Sequence, residues 1–215
     1  MTLVINGSTG LSLPSGSLIT ASAGNMEYDG KALYFVPQGT QRGVLPGMQY
    51  YRLNSGVTGA NATGAQSIFG VGVTLSSSTT YQFDSVIAIS KTAGTTSHTV
   101  ALGFGGTATL NNIGYFAHNQ GDTTAFTTVP YSGTMFDQWI ASASAQVVTG
   151  SIGTAGSYRV IVLSGTVSVN GGGTFIPQYT LSAAPGGAYT TQIGSSFSIY
   201  PVGAAGSNIS VGAWA

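Results

Sequence analysis

The chain contains no cysteine, so neither a disulfide framework nor thiolate chemistry contributes to its fold or activity. Charge is almost as scarce. Five basic and five acidic side chains make up 5% of the 215 residues, where an ordinary soluble domain carries about 25%. Lys31, Arg42, Arg52, Lys91 and Arg159 are scattered along the chain as solvated or locally paired cations, which argues against nucleic acid as a partner, because backbone binding needs clustered cations. Long apolar runs are missing too: the longest strongly apolar stretch is Val160 to Leu163, far below the ~18 residues of a membrane span. The N-terminus has neither a charged n-region nor an apolar segment of signal-peptide length, so synthesis and folding in a cytoplasm are expected. With so few charges the exterior must be Ser, Thr, Asn, Gln and Gly, a surface that neither steers charged ligands nor repels its own copies.

What the chain does contain is β punctuation: 33 glycines and 7 prolines among short runs of β-branched and aromatic residues. Three extended runs lie back to back from Gln66 to Leu110, namely QSIFGVGVTL, TTYQFDSVIAIS and SHTVALGFGGTATL. In the middle run Tyr81, Phe83, Ser85, Ile87 and Ile89 share one face, and Gln82, Asp84, Val86 and Ala88 share the other, the period of two that marks a half-buried strand. The short connections predict that the three runs are antiparallel neighbours.

Elsewhere the pattern is similar. Residues 2 to 22 are uncharged and thin in large side chains, and are expected either to form an arm lying along a neighbour or to form an edge hairpin. A turn at Asp29-Gly30 precedes a short aromatic strand from Ala32 to Val36; Gln38 to Pro46 is expected to be loop, and Gln49 to Leu53 a strand. Beyond Leu110 the segment Asn111 to Ala117 continues the sheet and gives way to a polar loop from His118 to Thr124. Asp137 to Val148 fits both a helical stripe and a strand, and the surrounding β pattern favours the strand. Tyr158 to Val169 is apolar on both faces in its first half, as a central strand covered on both sides would be. Asn170 to Gly173 is a turn whose glycines allow positive φ, and Ser195 to Val202 and Ser210 to Trp214 are closing strands. The sum is nine to eleven strands, no helix, and an all-β, antiparallel, jelly-roll-like sandwich over residues 23–215, with residues 1–22 as an extended N-terminal arm.

Chemical constellations are few. The acids are Glu27, Asp29, Asp84, Asp122 and Asp137, and of these Glu27 and Asp29 would share a strand face; the expected roles are a surface acid and a turn acid rather than a glycosidase pair. No Gly-x-Ser-x-Gly elbow is present and neither histidine has a recognisable Ser and Asp partner, so no catalytic residue is assigned. His98 and His118 would approach each other if the runs around Val100 and Tyr115 formed a hairpin. Two imidazoles alone hold a metal poorly, and no metal or cofactor is expected.

The runs AGNMEYDGKALYF, YYRLNSG, GANATGAQSIFGVGVTL, SKTAGTTSHTVALGFGGTATLNNIGY and GTFIPQYTLSAAPGGAYTTQIGSSFSIYPVG, with SVGAWA at the end, resemble the C-terminal module of tail-fibre and virion structural proteins of tailed phages, cyanophages in particular. They cover most of residues 23–215. The resemblance implies a virion surface protein, assembled in the host cytoplasm as a β-rich homotrimer, with the N-terminal arm contacting other virion proteins. It leaves two functions open: adhesion to a host-surface glycan or protein as a fibre or spike head, and decoration of the capsid without a host ligand.

Were a glycan bound, the stretch Tyr115 to Trp139 has suitable residues in a region of poor strand signal. Tyr131 and Trp139 would stack on pyranose rings, while Asn119, Gln120 and Asp122 would hold hydroxyls. The alternative for both aromatics is a place in the core or a subunit interface.

Overall fold

The computed structural model describes residues 13–123, 125, 126, 135–206 and 208–214, and the backbone alone of Asp122. Among them there is no helix; sixteen strands form three antiparallel sheets. Six of the strands are only two or three residues long, which is why an expectation of nine to eleven fell short.

The first sheet is small and joins β1 (Met26–Tyr28), β2 (Leu33–Gln38) and β3 (Gln41–Leu45). Asp29 shapes the first turn: its carboxylate accepts the backbone N–H groups of Lys31 and Ala32 at 2.7 and 2.8 Å and the Tyr34 hydroxyl at 3.0 Å. Gly30 takes φ 87°, a left-handed conformation that glycine adopts without penalty. Ala32, Tyr34 and Val36 are buried beneath this sheet. The expected loop from Gln38 to Pro46 is therefore corrected to a tight hairpin, since β3 returns along β2 after Gly39 and Thr40. Residues 13–22 form no strand and stay close to this sheet: Gly16 N donates to Tyr28 O at 3.1 Å, and Arg42 Nη2 donates to Ile19 O at 2.6 Å.

The remaining strands are β4 (Gln49–Arg52), β5 (Val57–Thr58), β6 (Gln66–Ser67), β7 (Val73–Leu75), β8 (Thr79–Lys91), β9 (Val100–Gly105), β10 (Thr109–Asp122), β11 (Met135–Ile140), β12 (Gln146–Val147), β13 (Ser157–Gly171), β14 (Gly173–Leu181), β15 (Thr190–Thr191) and β16 (Ser196–Ala204). They build a jelly-roll-like antiparallel sandwich. The large sheet has the order β11-β10-β13-β8, after which β16 with β4 and β15 with β5 share the far edge of β8. The facing sheet has the order β12-β9-β14-β6, with β7 also on β14.

Between the sheets lies one aromatic core. Phe104 stacks on Phe175 at 4.5 Å and 8°, and Phe83, wholly buried, meets Phe104, Tyr115, Phe175 and Phe197 at 5.3 to 6.2 Å. Removing a side chain such as Phe83 from water is worth about 2–3 kcal/mol. The alternation in β8 is as expected: Tyr81, Phe83, Ser85, Ile87 and Ile89 face this core.

Several connections differ from expectation. The three runs from Gln66 to Leu110 are not neighbours: β7 pairs with β14, β8 with β13, β15 and β16, and β9 with β12 and β14. Each short connection crosses from one sheet to the other instead of closing a hairpin, a route that a sandwich allows as readily as a turn within one sheet. The glycines after Asn170 are likewise needed for closeness rather than for positive φ. A Cβ on Gly172 would lie 2.9 Å from Leu75 O, and one on Gly173 2.6 Å from Ala108 N. Strand β10 runs on to Asp122, replacing the expected polar loop at His118. β13 is central in the sheet, yet its outward face is open, with Val162 and Ser164 exposed, so it is not covered on both sides. Residues 210–214 form no strand.

Candidate functional site

Because every strand of the large sheet alternates, the face turned away from the core is a set of straight rows. One row, read by direct pairing across six strands, is Trp139, Phe116, Ser164, Asp84, Ser198 and Tyr50. The next is Asp137, His118, Val162, Val86, Ser196 and Arg52. Among the described residues nothing covers the aromatic side chains of the first row, where Trp139 is 67% exposed, Tyr50 60% and Phe116 43%, and Met135, in the row beyond that of Asp137, is 60% exposed. Trp139 and Phe116 are direct cross-strand neighbours while Tyr50 closes the far end of their row, and adjoining exposed apolar side chains such as the first two mark a contact surface.

Polar groups punctuate the face. Ser164 donates to Asp84 at 2.6 Å, and His118 Nδ1 pairs with the Asp137 carboxylate, holding both side chains across β10 and β11. The indole of Trp139 lies over Gly114, where a Cβ would come 2.6 Å from the ring.

The side chains of three of the five residues expected to bind a glycan are among those described, and the structure separates them. Trp139 is on the open face, so a place in the core is ruled out for it. Gln120 is on the same face, half-buried, paired with Met135 and Val160. Asn119 is corrected: it is fully buried, points into the sandwich, and donates from Nδ2 to Val148 O at 2.8 Å, tying the two sheets together. It cannot reach a surface ligand. The backbone of Asp122 ends β10 opposite Tyr158, and Tyr131 lies outside the described residues. Residues not anticipated for this face are Phe116, Met135 and Tyr50. Phe116 carried a signal, since it breaks the small and polar sequence of alternate positions Gly114, His118 and Gln120.

A cleft of about 310 Å³ opens beside β4, between the margins of the two sheets. Tyr51, Phe69 and Phe197 line it with aromatic rings, Gln49 and Thr74 supply polar groups, and no charged side chain lines it. Tyr51 meets Phe69 edge-on at 6.2 Å.

The remaining ionisable groups have structural partners. Lys91 is 2% exposed, and its ammonium donates to Gly94 O at 2.8 Å, Ala93 O at 3.3 Å, Thr154 O at 2.5 Å and Ala155 O at 3.2 Å, so it clamps two loops rather than standing in solvent. Burial pushes its pKa down. His98 is also buried. Its Nδ1 donates to Thr96 O at 2.8 Å, which leaves Nε2 to accept from the Tyr189 hydroxyl at 2.9 Å. Desolvation holds this imidazole below its ordinary pKa, and nearby Lys91 and Arg159 add to the effect. His98 and His118 do not meet, because β9 and β10 belong to different sheets. Among the described residues no group of three metal-ligating side chains occurs. Glu27 pairs with Arg42 at 2.8 Å while Asp29 shapes a turn, so neither faces the other across a substrate space.

No protein-family model matches the chain, and no curated protein is significantly similar to it.

Proposed function

We propose that this chain is a phage virion surface protein that acts by contact, as the head of a tail fibre or spike adhering to the host-cell surface. The observation that carries the reading is the open face of the large sheet, where Trp139, Phe116 and Tyr50 share a row with Ser164, Asp84 and Ser198. Flat aromatic side chains offer area to the apolar side of a sugar ring or to a protein side chain at little entropic cost, and the interleaved hydroxyls and carboxylate orient what binds. The rigid strands beneath keep that geometry fixed. The resemblance of the runs quoted above to phage fibre modules points the same way.

Labelled protein mixed with cyanobacterial cells tests it. Wild-type protein should remain with the cells after washing, and a Phe116→Ala/Trp139→Ala variant with an unchanged melting temperature should be washed off. Equal retention of the two would overturn the site. Wild-type protein that ignores cells but binds phage capsids stripped of their surface proteins would replace adhesion by capsid decoration.

A further inference from the structure

We propose that copies of this chain join head to tail through the two free edges of the large sheet, β11 of one copy pairing antiparallel with β4 of the next. Both are edge strands: among the described residues, β11 pairs only with β10 and β4 only with β16. An unpaired strand edge is a template for another chain, and natural sheets usually blunt it with proline, lysine or a bulge. Neither edge has proline, lysine or a bulge, and the one charge that each carries, Asp137 on β11 and Arg52 on β4, is opposite in sign to the other. All four residues of β4 are exposed, and the register with its neighbour is unbroken for both strands.

Direction and register then agree. Six antiparallel strands lead from β11 to β4, so these two run in opposite senses, and a second copy in the same orientation presents β11 antiparallel to β4. If Asp137 is set opposite Arg52, Trp139 falls opposite Tyr50 without further adjustment, because the two strands count in opposite directions. One register thus makes an ion pair and an aromatic pair, both on the open face. The charges complement each other, and among the described residues Arg52 meets no carboxylate within its own copy. Within one copy Asp137 and Arg52 end the same row, five strand spacings or about 24 Å apart. Continuing that row into the next copy requires no slide along the strands, and a repeated head-to-tail contact of this kind builds a ring where the rotation between copies closes and an open filament where it does not. The neighbour's β11 would also cap the cleft beside Tyr51, and the junction would extend the aromatic row from Phe116 and Trp139 to the partner subunit's Tyr50. The pairing stands whether or not the exposed face binds a host.

The full chain can be tested directly. Light scattering after gel filtration at micromolar concentration should give a multiple of 21.6 kDa. Arg52→Asp should reduce it to the single-chain mass, and Arg52→Asp/Asp137→Arg should restore the multiple. Because the chain has no cysteine, an Arg52→Cys/Asp137→Cys variant gives a second readout: mild oxidation should produce a covalent ladder that reduction collapses. Arg52→Cys/Met135→Cys, out of register on the same strands, should not. A wild-type monomer, or a ladder of equal yield from the two cysteine pairs, would overturn the proposal. Assembly that persists in protein unable to hold cells would leave the pairing intact and remove only the adhesion reading.

Discussion

The indole of Trp139 lies across the backbone of Gly114, the glycine one strand over on β10, and fills the space where a side chain would begin. Bare glycine in a strand exposes its backbone to water, and a neighbouring aromatic ring is the usual cover. Because the ring is 67% exposed, its removal leaves no cavity. Trp139→Ala should therefore cost the isolated subunit less than about 1.5 kcal/mol, against the 3–5 kcal/mol expected of a buried tryptophan. Chemical denaturation under conditions that keep the chain monomeric measures the difference, and a cost above about 3 kcal/mol would mean that the ring is covered in a way the open face does not provide.

His98 gives the fold an acid limb. Its folded-state pKa lies below the unfolded value of about 6.5, so the native state binds fewer protons than the unfolded chain between the two. The associated stability is fully present above about pH 6.5 and is lost as the pH falls through the folded value. The melting temperature should begin to drop below about pH 6.5, and His98→Gln, which keeps a neutral polar group facing Tyr189, should flatten that part of the profile. A slope unchanged in the variant would assign the acid limb to other groups.

Asn119 is a buried inter-sheet tie and not a ligand contact, which separates two roles that its neighbours in sequence could not. Asn119→Ala leaves Val148 O without its donor and should cost about 1–3 kcal/mol, while leaving cell adhesion of the folded protein unaltered. Gln120→Ala, on the open face, should do the reverse: little change in stability and weaker adhesion. A stable Asn119→Ala variant that fails to adhere would contradict this division.

The limits of the sequence are visible at the same place. The period of two along β8 and the Gly and Pro punctuation made the class of fold legible, because burial on one face writes itself into alternation. From His118 onward alternation persists, but its inward positions are Asn119 and Gly121, whose polarity and size hide it, so a strand looks like a loop. Strand partners were less legible still. Whether a short connection after Leu75 or Lys91 turns within a sheet or crosses to the facing one depends on what pairs from far along the chain, here β13 and β14. The open face follows from that pairing, and Tyr50 joins Trp139 on one row only once β8 has placed β16 and β13 on its two sides.

The alkaline limb sets four tyrosines against one lysine. Burial, with the neighbouring Asp29, pushes Tyr34 up to about 12; burial alone takes Tyr115 to about 12; burial with Tyr189 nearby takes Tyr179 to about 12; and burial raises Tyr189 too. For each, the unfolded chain loses its proton near pH 10 while the native state keeps it, so stability present below pH 10 is lost as the pH rises toward the folded value. Lys91 works in the opposite sense. Its lowered pKa lets the native state release a proton first, which adds stability as the pH rises from the folded value to about 10.5. Four groups outweigh one, and the fold should weaken above about pH 10, with tyrosinate absorbance and loss of β structure appearing together. Replacing Tyr115 by Phe removes a buried hydroxyl that has no hydrogen-bond partner among the described residues, so Tyr115→Phe should shift the alkaline midpoint upward without loss at neutral pH. Tyrosinate that forms well before the β signal changes would show that these hydroxyls ionise inside the native sandwich.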